Sequence, residues 1–392
     1  MSSQSQIDTL YQSCKQLKEL FYHDMTALLT GKNIQNTPVD YIYILRQLGR
    51  TSDELGIKCD GFDSELQKLV ELSDYLENEV VLSCFVNDFF VVLNKLLVAV
   101  IAKRNHYCII KRNDSIPGLA SHILTNLGQI ESSINDGCIP VIDMMNAENN
   151  FTELSRKTEK NAWELFFKQP FGITLEDIPS DAIITTRSGI PSFMPTYDMG
   201  CLTNPDLMNF WRKQLKDYMP ISELMHKEVE RTASRLPFYT GSRILGVLCR
   251  GTDYVMRRPY NHPVQPKISE VLEEAEQVMK AYNCEYCYLA TEDENIAAVF
   301  KERFGDKLLL TQDIYYSSAE EDAEWISQKH ADPYAKNKEY LIALYLLSQC
   351  TCFIGGRTSG TVIVSLLSDE YEYFYTWNKG RYGIDDMPFA RL

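Results

Sequence analysis

Apolar residues recur at helical spacing through the first hundred positions of the chain. One stripe runs over residues 10–28 and stops before Gly31, a residue type that commonly terminates helices. A second stripe begins at Leu66 and continues into an apolar run that ends near Ala102. Because both patterns have the period of a helix with one buried face, we predict an all-helical unit over residues 1–104.

The apolar run at 80–102 has the length of a membrane span. Polar residues interrupt its centre, however, at Asn87, Asp88, Asn94 and Lys95, and such side chains are costly in lipid. We therefore expect a buried helix and no transmembrane span. The helical unit is a candidate for dimerisation, for docking on a partner protein or for peripheral contact with a membrane surface.

The period of the pattern changes after the helical unit. Short apolar runs at 107–110 and 138–142 flank a helical pattern at 119–134, which predicts a β-α-β unit. Such a unit implies a parallel sheet whose ligands bind at the carboxyl ends of the strands. The pattern over 151–240 is less regular, and we assign 105–240 to one Rossmann-like domain.

Strand and helix patterns alternate more regularly in the second half of the chain. The predicted strands span 243–249, 286–290, 307–310, 352–354 and 371–375, and the predicted helices span 269–282, 294–304, 338–348 and 361–367. This alternation predicts a second Rossmann-like domain over 241–376, followed by a tail at 377–392. The fold class is therefore α/β, with two Rossmann-like domains facing a cleft and an N-terminal helical unit.

Well-known nucleotide and hydrolase motifs are missing from these strand ends. The sequence contains no G-x-G-x-x-G, Walker A or G-x-S-x-G motif there. Dinucleotide, P-loop and hydrolase chemistry therefore lose their usual support.

Charge narrows the classes of partner. The 392 residues include 39 Lys and Arg against 54 Asp and Glu, which gives a formal net charge of −15. An acidic surface repels the phosphate backbone of nucleic acids, so we expect no nucleic-acid partner. An anionic ligand must then be bound by a few arginines that converge locally.

Cysteine usage and the N-terminus indicate the compartment. Eleven cysteines are an odd number without framework spacing, which favours free thiols in a reducing cytoplasm. The first residues lack the basic and then apolar order of a secretion signal. Cys284 and Cys287 form a lone C-x-x-C without a second pair at zinc spacing, so we expect no metal there.

Three motifs follow predicted strands in the second half of the chain. The first is Arg250-Gly251-Thr252-Asp253, which comes directly after the strand at 243–249. At the carboxyl end of a strand, Arg250 would present a planar fork suited to a phosphate, and Asp253 adds a carboxylate. A surface Arg–Asp pair in a turn is the alternative.

The second motif joins a predicted strand to a predicted helix and contains Gly356-Arg357-Thr358-Ser359. Glycine allows close approach of the backbone to a ligand, the hydroxyls and amides are donors, and the start of a helix favours an anion. Glycine and serine also make ordinary helix caps. Together with Arg250, this motif predicts a diphosphate site.

The third motif, Glu292-Asp293-Glu294, ends a predicted strand and opens a helix. Acids in the first turn stabilise a helix; alternatively, one carboxylate binds a base or a ribose. Adjacent acids also suit a metal, but Arg250 and Arg357 can neutralise a diphosphate, so we expect no required metal.

The order of these motifs resembles that of the GDP-fucose-dependent fucosyltransferase superfamily, which contains the nodulation, core N-glycan and protein O-fucosyltransferases. The resemblance is carried by residues 118–122, 139–143, 246–253, 290–293 and 347–359. It extends over roughly residues 106–376 and leaves out the N-terminal helical unit.

The resemblance implies a GT-B glycosyltransferase in which 105–240 is the acceptor domain and 241–376 is the nucleotide-sugar (donor) domain. It also implies transfer of L-fucose from GDP-fucose with inversion, without a metal or a cofactor. It implies that Arg250 contacts the donor diphosphate and that Asp253 is the aspartate of the family's His-x-Arg-Arg-x-Asp motif. Taken with the motifs themselves, the candidate donor-binding residues are Arg250, Glu292, Asp293, Gly356, Arg357, Thr358 and Ser359.

Three positions depart from the family pattern. Leu248 stands in place of the histidine of that motif, and Gly251 stands in place of its second arginine. Ala343 stands where a carboxylate is expected on the helix before the last motif.

Sugar transfer requires two things of the site. The charge that develops on the leaving GDP must be neutralised, and the acceptor hydroxyl needs a base. Arg250, Arg357 and the start of the helix after them would supply the first. Asp253 and His262 are the candidate bases, although His262 lies in a turn where a structural role is the alternative.

The sequence therefore predicts a cytoplasmic glycosyltransferase of polysaccharide biosynthesis that transfers L-fucose from GDP-fucose to a glycan or a lipid-linked saccharide. One alternative is transfer from another nucleotide sugar, and a second is a non-catalytic scaffold that binds a sugar nucleotide or a glycan. An epimerase or dehydrogenase is a third, but it needs a nicotinamide fingerprint that the chain lacks.

Overall fold

A computed structural model describes most of the chain. The described residues are 3–29, 34, 36–76, 79–112, 118–147, 149, 151, 160–197, 200–251, 255, 258, 260–311, 332–368 and 370–383. Asp253 lies outside them, as do Thr252 and most of the C-terminal tail.

The chain folds into two compact units that alternate along the sequence. The first contains Met1–Ile109, Glu131–Val141 and Glu176–Thr186, and the second contains Ile110–Ile130, Ile142–Leu175 and Arg187–Leu392. The domain boundaries predicted at residues 104, 240 and 376, and the facing of two domains across a cleft, stay predictions.

Four helices make up most of the first unit: α1 (Ser3–Leu29), α2 (Pro38–Glu54), α3 (Phe62–Ser73) and α4 (Glu79–Lys103). Thr37 begins α2 with a capping box, because its side chain accepts from the Asp40 amide while the Asp40 carboxylate accepts from the Thr37 amide. Both α1 and α3 pack against α4. The single stripe that the sequence shows after Leu66 is thus divided between two helices, α3 and α4.

Aromatic rings fill the space between these helices. Phe21 of α1 stacks on Phe89 of α4 with ring centroids 3.8 Å apart, and Tyr41 of α2 donates a 2.6 Å hydrogen bond to Asp24. Within the part of the chain that the structure describes, Cys84–Lys103 of α4 is the one helical stretch long and apolar enough to cross a membrane, and 44% of it is buried inside the protein.

Arg104 ties the end of α4 to other parts of the first unit. Its Nε lies 2.8 Å from an Asp8 carboxylate oxygen, and Nη1 donates to the Gly137 carbonyl at 2.8 Å. The guanidinium also lies 4.1 Å from the centre of the Tyr11 ring. The desolvated charge of this buried side chain is therefore compensated on three sides.

A three-stranded sheet contains β1 (His106–Ile110), β2 (Ile139–Ile142) and β3 (Ile183–Arg187) in the order β2-β1-β3. Helix α5 (Leu119–Asn135) connects β1 to β2, which confirms the predicted β-α-β unit. Two helices, α6 (Pro205–Tyr218) and α7 (Glu223–Ala233), follow in the stretch that the sequence shows as less regular.

The second unit contains a five-stranded sheet. Its strands are β4 (Ile244–Leu248), β5 (Tyr286–Ala290), β6 (Leu308–Leu309), β7 (Cys352–Gly356) and β8 (Tyr373–Trp377), and the helices between them are α8 (Ile268–Ala281), α9 (Glu294–Phe304), α10 (Pro333–Leu347) and α11 (Ser359–Leu367). The strand order is β6-β5-β4-β7-β8, and all four neighbouring pairs are parallel. The mixed α/β class with a parallel sheet is therefore confirmed.

The central strands of this sheet are buried, which explains their continuous apolar sequences. Leu245 and Val247 of β4 pack in one core with Cys287 and Leu289 of β5 and Ile354 of β7. Strands covered on both faces need apolar residues at every position, so this half of the chain shows a clear pattern.

Most element boundaries in the second unit agree with the sequence pattern. Strand β5 and helix α9 match residue for residue. Helix α10 begins five residues before its predicted start, because Asp332 caps it and Pro333 occupies its first turn. Strand β8 lies two residues later than predicted.

Candidate functional site

Parallel pairing brings the three sequence motifs to one edge of the second sheet. Leu248, the last residue of β4, pairs with Ala290 of β5 and with Gly355 of β7. Arg250 and Glu292 follow two residues after the first pair, and Arg357 follows two residues after Gly355. All three side chains therefore start from the carboxyl edge of the sheet, where ligands of such folds bind.

Arg250 and Glu292 form an ion pair at this edge, with Nε 2.8 Å from Oε1. Both side chains are partly buried, at 23% and 19% exposure, so the pair is less screened than a surface pair. The guanidinium is planar, and a carboxylate on Nε fixes the plane in which its other donors lie. The structure thus brings together two residues that the sequence analysis assigned to phosphate and to base or ribose.

Asp293 is buried and caps α9. Its Oδ1 accepts from the amides of Asn295 at 2.9 Å and Ile296 at 3.2 Å. Gly251 lies against this cap, since a β-carbon at Gly251 would collide with Asp293 Oδ2. Any larger residue at 251 would therefore require the Asp293 side chain or the backbone at 251 to shift.

The Cys249 thiol lies near the carboxylates of Glu292 and Asp293. Burial raises its pKa to about 12, with further contributions from the negative charges of Glu292 and Asp293. The thiol therefore stays protonated near neutral pH and does not act as a nucleophile there.

The loop after β7 is held by hydrogen bonds from the first turn of α11. Thr358 caps the helix by accepting from the Thr361 amide at 3.2 Å, and the Thr361 hydroxyl donates to the Gly356 carbonyl at 2.5 Å. Ser359 is half-buried in the first turn, and Arg357 is half-buried before it. Thr358 is buried, so its hydroxyl serves the helix cap.

Gly356 faces a residue that the sequence analysis did not single out. A β-carbon at Gly356 would collide with Gln265 Oε1, and Pro266 lies against the same face. Gln265 Nε2 also donates to the Arg357 carbonyl at 3.3 Å. In the sequence around Gln265, Pro263 and Pro266 are the signal that this segment is rigid.

His262 is exposed and lies on the segment that leads to Gln265. Its carbonyl accepts from the Tyr382 amide at 2.9 Å, so the backbone at His262 is held by a residue near the C-terminus. Asp253, the other candidate base, lies outside the described residues. The assignment of a base to either residue stays a prediction.

Metal-binding side chains do not cluster in the described residues, where no group of three or more His, Cys, Asp or Glu could hold an ion. Cys284 of the C-x-x-C pattern lies near another cysteine, with its Sγ 3.9 Å from that of Cys352.

Comparison with solved structures finds fucosyltransferases. NodZ from Bradyrhizobium is 14% identical with a TM-score of 0.39, over 67% of this chain and 92% of that chain. POFUT1 in complex with GDP is 10% identical with a TM-score of 0.43, over 71% and 99%. A mutant of Arabidopsis thaliana FUT1 in complex with GDP is 10% identical with a TM-score of 0.39, over 84% and 83%.

The chain is similar to fucosyltransferases. Solved fucosyltransferases are among the structures to which this chain is similar, as the motifs predicted. No protein-family model matches the chain, and no curated protein matches it in sequence.

The positions that depart from the fucosyltransferase pattern lie in packed surroundings. Leu248 is buried at the end of β4, and Ala343 is fully buried in α10. A carboxylate at this fully buried position would be desolvated, at a high cost in stability.

Proposed function

We propose that this protein is a glycosyltransferase that binds a GDP-sugar, GDP-fucose above all, at the carboxyl edge of the five-stranded sheet. One observation carries the proposal: Arg250, paired with Glu292, and the Gly356–Ser359 loop start from the same edge of that sheet. In a chain with a net charge of −15, two arginines beside the start of a helix make a local site for an anion.

The proposed reaction breaks the bond between the anomeric carbon of the sugar and the β-phosphate oxygen of GDP. An acceptor hydroxyl of a glycan or lipid-linked saccharide attacks from the opposite face, which inverts the anomeric carbon. Negative charge grows on the leaving GDP, and Arg250, Arg357 and the first turn of α11 stabilise it. Because these groups of the protein can stabilise the charge, the proposed reaction needs neither metal nor cofactor. The acceptor proton passes to Asp253 or His262.

Release of GDP from GDP-fucose tests the proposal. We expect purified protein to release GDP in the presence of EDTA, and an acceptor saccharide to accelerate the release. Arg250→Ala should lower the rate by about 100-fold or more, the usual effect of removing one group that stabilises a developing charge. Arg243→Ala is the matched control, because Arg243 lies at the opposite end of β4 and pairs with Glu372. Full activity of Arg250→Ala would refute the proposal.

A non-catalytic scaffold that binds a sugar nucleotide is the second candidate. It is favoured by Leu248 and Gly251, which replace two polar residues of the fucosyltransferase motif and lie in packed positions. Tight binding of GDP-fucose without transfer or hydrolysis would support this candidate and exclude the enzyme.

A further inference from the structure

Gln265 follows a segment that residues near the C-terminus hold in place. The Asn261 amide donates to the Tyr382 carbonyl at 2.8 Å, and the Val264 amide donates to the Gly380 carbonyl at 3.0 Å. These antiparallel contacts fix the backbone directly before Gln265.

The Gln265 carboxamide can take only one orientation. Its Nε2 donates to the carbonyls of Pro263 at 3.1 Å and Arg357 at 3.3 Å. Both partners are acceptors, so a flipped amide would place Oε1 against two carbonyl oxygens. Oε1 therefore points away from them and lies against Gly356.

Holding the Arg357 carbonyl fixes the peptide plane that follows it. In a trans peptide the C=O of one residue and the N–H of the next point in opposite directions. The contact from Gln265 therefore sets the direction of the Thr358 N–H at the start of α11. The neighbouring carbonyls of Gly356 and Thr358 are held within α11, whereas Gln265 acts from 92 positions earlier in the chain.

The polar chemistry of Gln265 is not explained by space filling. The side chain is only 7% exposed, and no described residue donates to its buried Oε1. An apolar side chain of similar length would fill the same space without burying an unpaired oxygen, which is costly. What only glutamine supplies here is the pair of N–H donors that bind the two carbonyls.

We propose that Gln265 is a positioning residue that holds the Gly356–Arg357 backbone in the conformation that binds the diphosphate of the donor. The inference rests on the proposed function for the identity of the ligand, and on the contacts above for the action of Gln265. Gln265 acts through the loop and need not touch the nucleotide.

The first test replaces Gln265 with methionine, which keeps the length of the side chain and removes both donors. Hydrogen exchange of the amides at 357–360 should become faster in the free protein. Dissociation constants for GDP and for inorganic pyrophosphate, measured by calorimetry, should rise about 3- to 10-fold, as expected for the loss of neutral hydrogen bonds. Gln214→Met is the matched control, since Gln214 is a buried glutamine of α6 to whose Oε1 no described residue donates.

The two readouts separate this inference from the proposed function. Unchanged exchange at 357–360 in Gln265→Met, or faster exchange with unchanged affinity for GDP and pyrophosphate, overturns the positioning role. If the wild-type protein binds no nucleoside diphosphate while Gln265→Met still exchanges faster at 357–360, the support given by Gln265 stands and the proposed function falls.

A second test measures the contact between Gln265 and Gly356 through the melting temperature, and its first variant keeps Gln265. Gly356→Ala should lower the melting temperature, because the new methyl group collides with Gln265 Oε1. In a Gln265→Ala background, Gly356→Ala should lower the melting temperature clearly less, because Gln265 Oε1 is no longer there to collide with. An equal loss in both backgrounds would show that Gln265 does not hold Gly356, and the proposal would fail.

Discussion

At the residue scale, the site depends on the orientation of one arginine. Glu292 contacts Arg250 Nε at 2.8 Å. The carboxylate that could bind a ribose is therefore already paired with the guanidinium that could bind a phosphate. A guanidinium held on one side presents its other donors in a fixed plane, which reduces the ordering cost when a phosphate binds. We infer that Glu292 contributes to GDP binding mainly through Arg250.

A double-mutant cycle on GDP binding tests this coupling. Arg250→Ala and Glu292→Ala should each weaken GDP binding. The double variant should lose less binding free energy than the sum of the losses in the two single variants. For groups in direct contact, we expect an interaction energy of about 0.5–3 kcal/mol. Calorimetric titration of the three variants gives the free energies.

Glu294 supplies the control for that cycle. It is an exposed acid in the first turn of α9, two residues from Glu292, so Glu294→Ala should be additive with Arg250→Ala. If Glu292→Ala is additive with Arg250→Ala as well, Glu292 acts independently of the arginine and the inference is wrong.

At the element scale, the start of α9 supports the loop after β4. Asp293 accepts from two amides of the helix, and Gly251 packs against the same carboxylate. The helix cap and the backbone beside Arg250 therefore depend on one side chain, which gives Asp293 a structural role next to the proposed ligand site.

Replacing Asp293 separates capping from ligand binding. Asp293→Ala should lose about 1 kcal/mol of unfolding free energy, the usual cost of removing a cap. Asp293→Asn keeps an oxygen acceptor, so it should retain most of the stability in urea unfolding and a GDP affinity within about threefold of wild type. A loss of GDP binding in Asp293→Asn as large as in Arg250→Ala would show direct contact with the nucleotide.

The elements of the second unit are largely predictable from sequence, whereas the contacts between them are not. Continuous apolar strands and the rule that parallel strands end together place Arg250 and Arg357 at one edge. The cap at Asp293 follows from an acid before a helix. Gln265 and Arg357, which are hydrogen-bonded, lie 92 positions apart. A local hydrophobic pattern cannot predict a contact over that distance in the sequence.

At the scale of the whole molecule, buried thiols limit stability in alkali. Burial raises the pKa of Cys14 to about 12, of Cys201 to about 11 and of Cys249 to about 12. A thiol whose pKa is raised by folding keeps its proton longer in the folded state than in the unfolded state. Its contribution is therefore full below about pH 9 and is lost as the pH rises toward 12.

Unfolding in urea at pH 8, 9 and 10 with a reductant measures this loss. The free energy of unfolding should fall above pH 9, by up to about 1.4 kcal/mol per pH unit for each such thiol. The free energy of unfolding of Cys249→Ala should fall less steeply with pH than that of the wild type. Cys84→Ala, which changes an exposed cysteine, should keep the wild-type dependence on pH. An unchanged slope in Cys249→Ala would contradict the prediction.

The central claim is that the carboxyl edge of the five-stranded sheet binds a nucleoside diphosphate sugar, and a thermal-shift experiment tests it most directly. Melting temperatures are measured with GDP, GDP-fucose, GDP-mannose, UDP-glucose and NAD, with and without EDTA, for the wild type, Arg250→Ala and Arg243→Ala.

At a ligand concentration of ~100 times the dissociation constant, binding stabilises the folded state by about 2.7 kcal/mol, which raises the melting temperature by a few degrees. We expect such a rise with GDP and GDP-fucose that survives EDTA, persists in Arg243→Ala and disappears in Arg250→Ala. Melting temperatures that no nucleotide changes, or a rise with GDP that Arg250→Ala retains in full, would contradict the account.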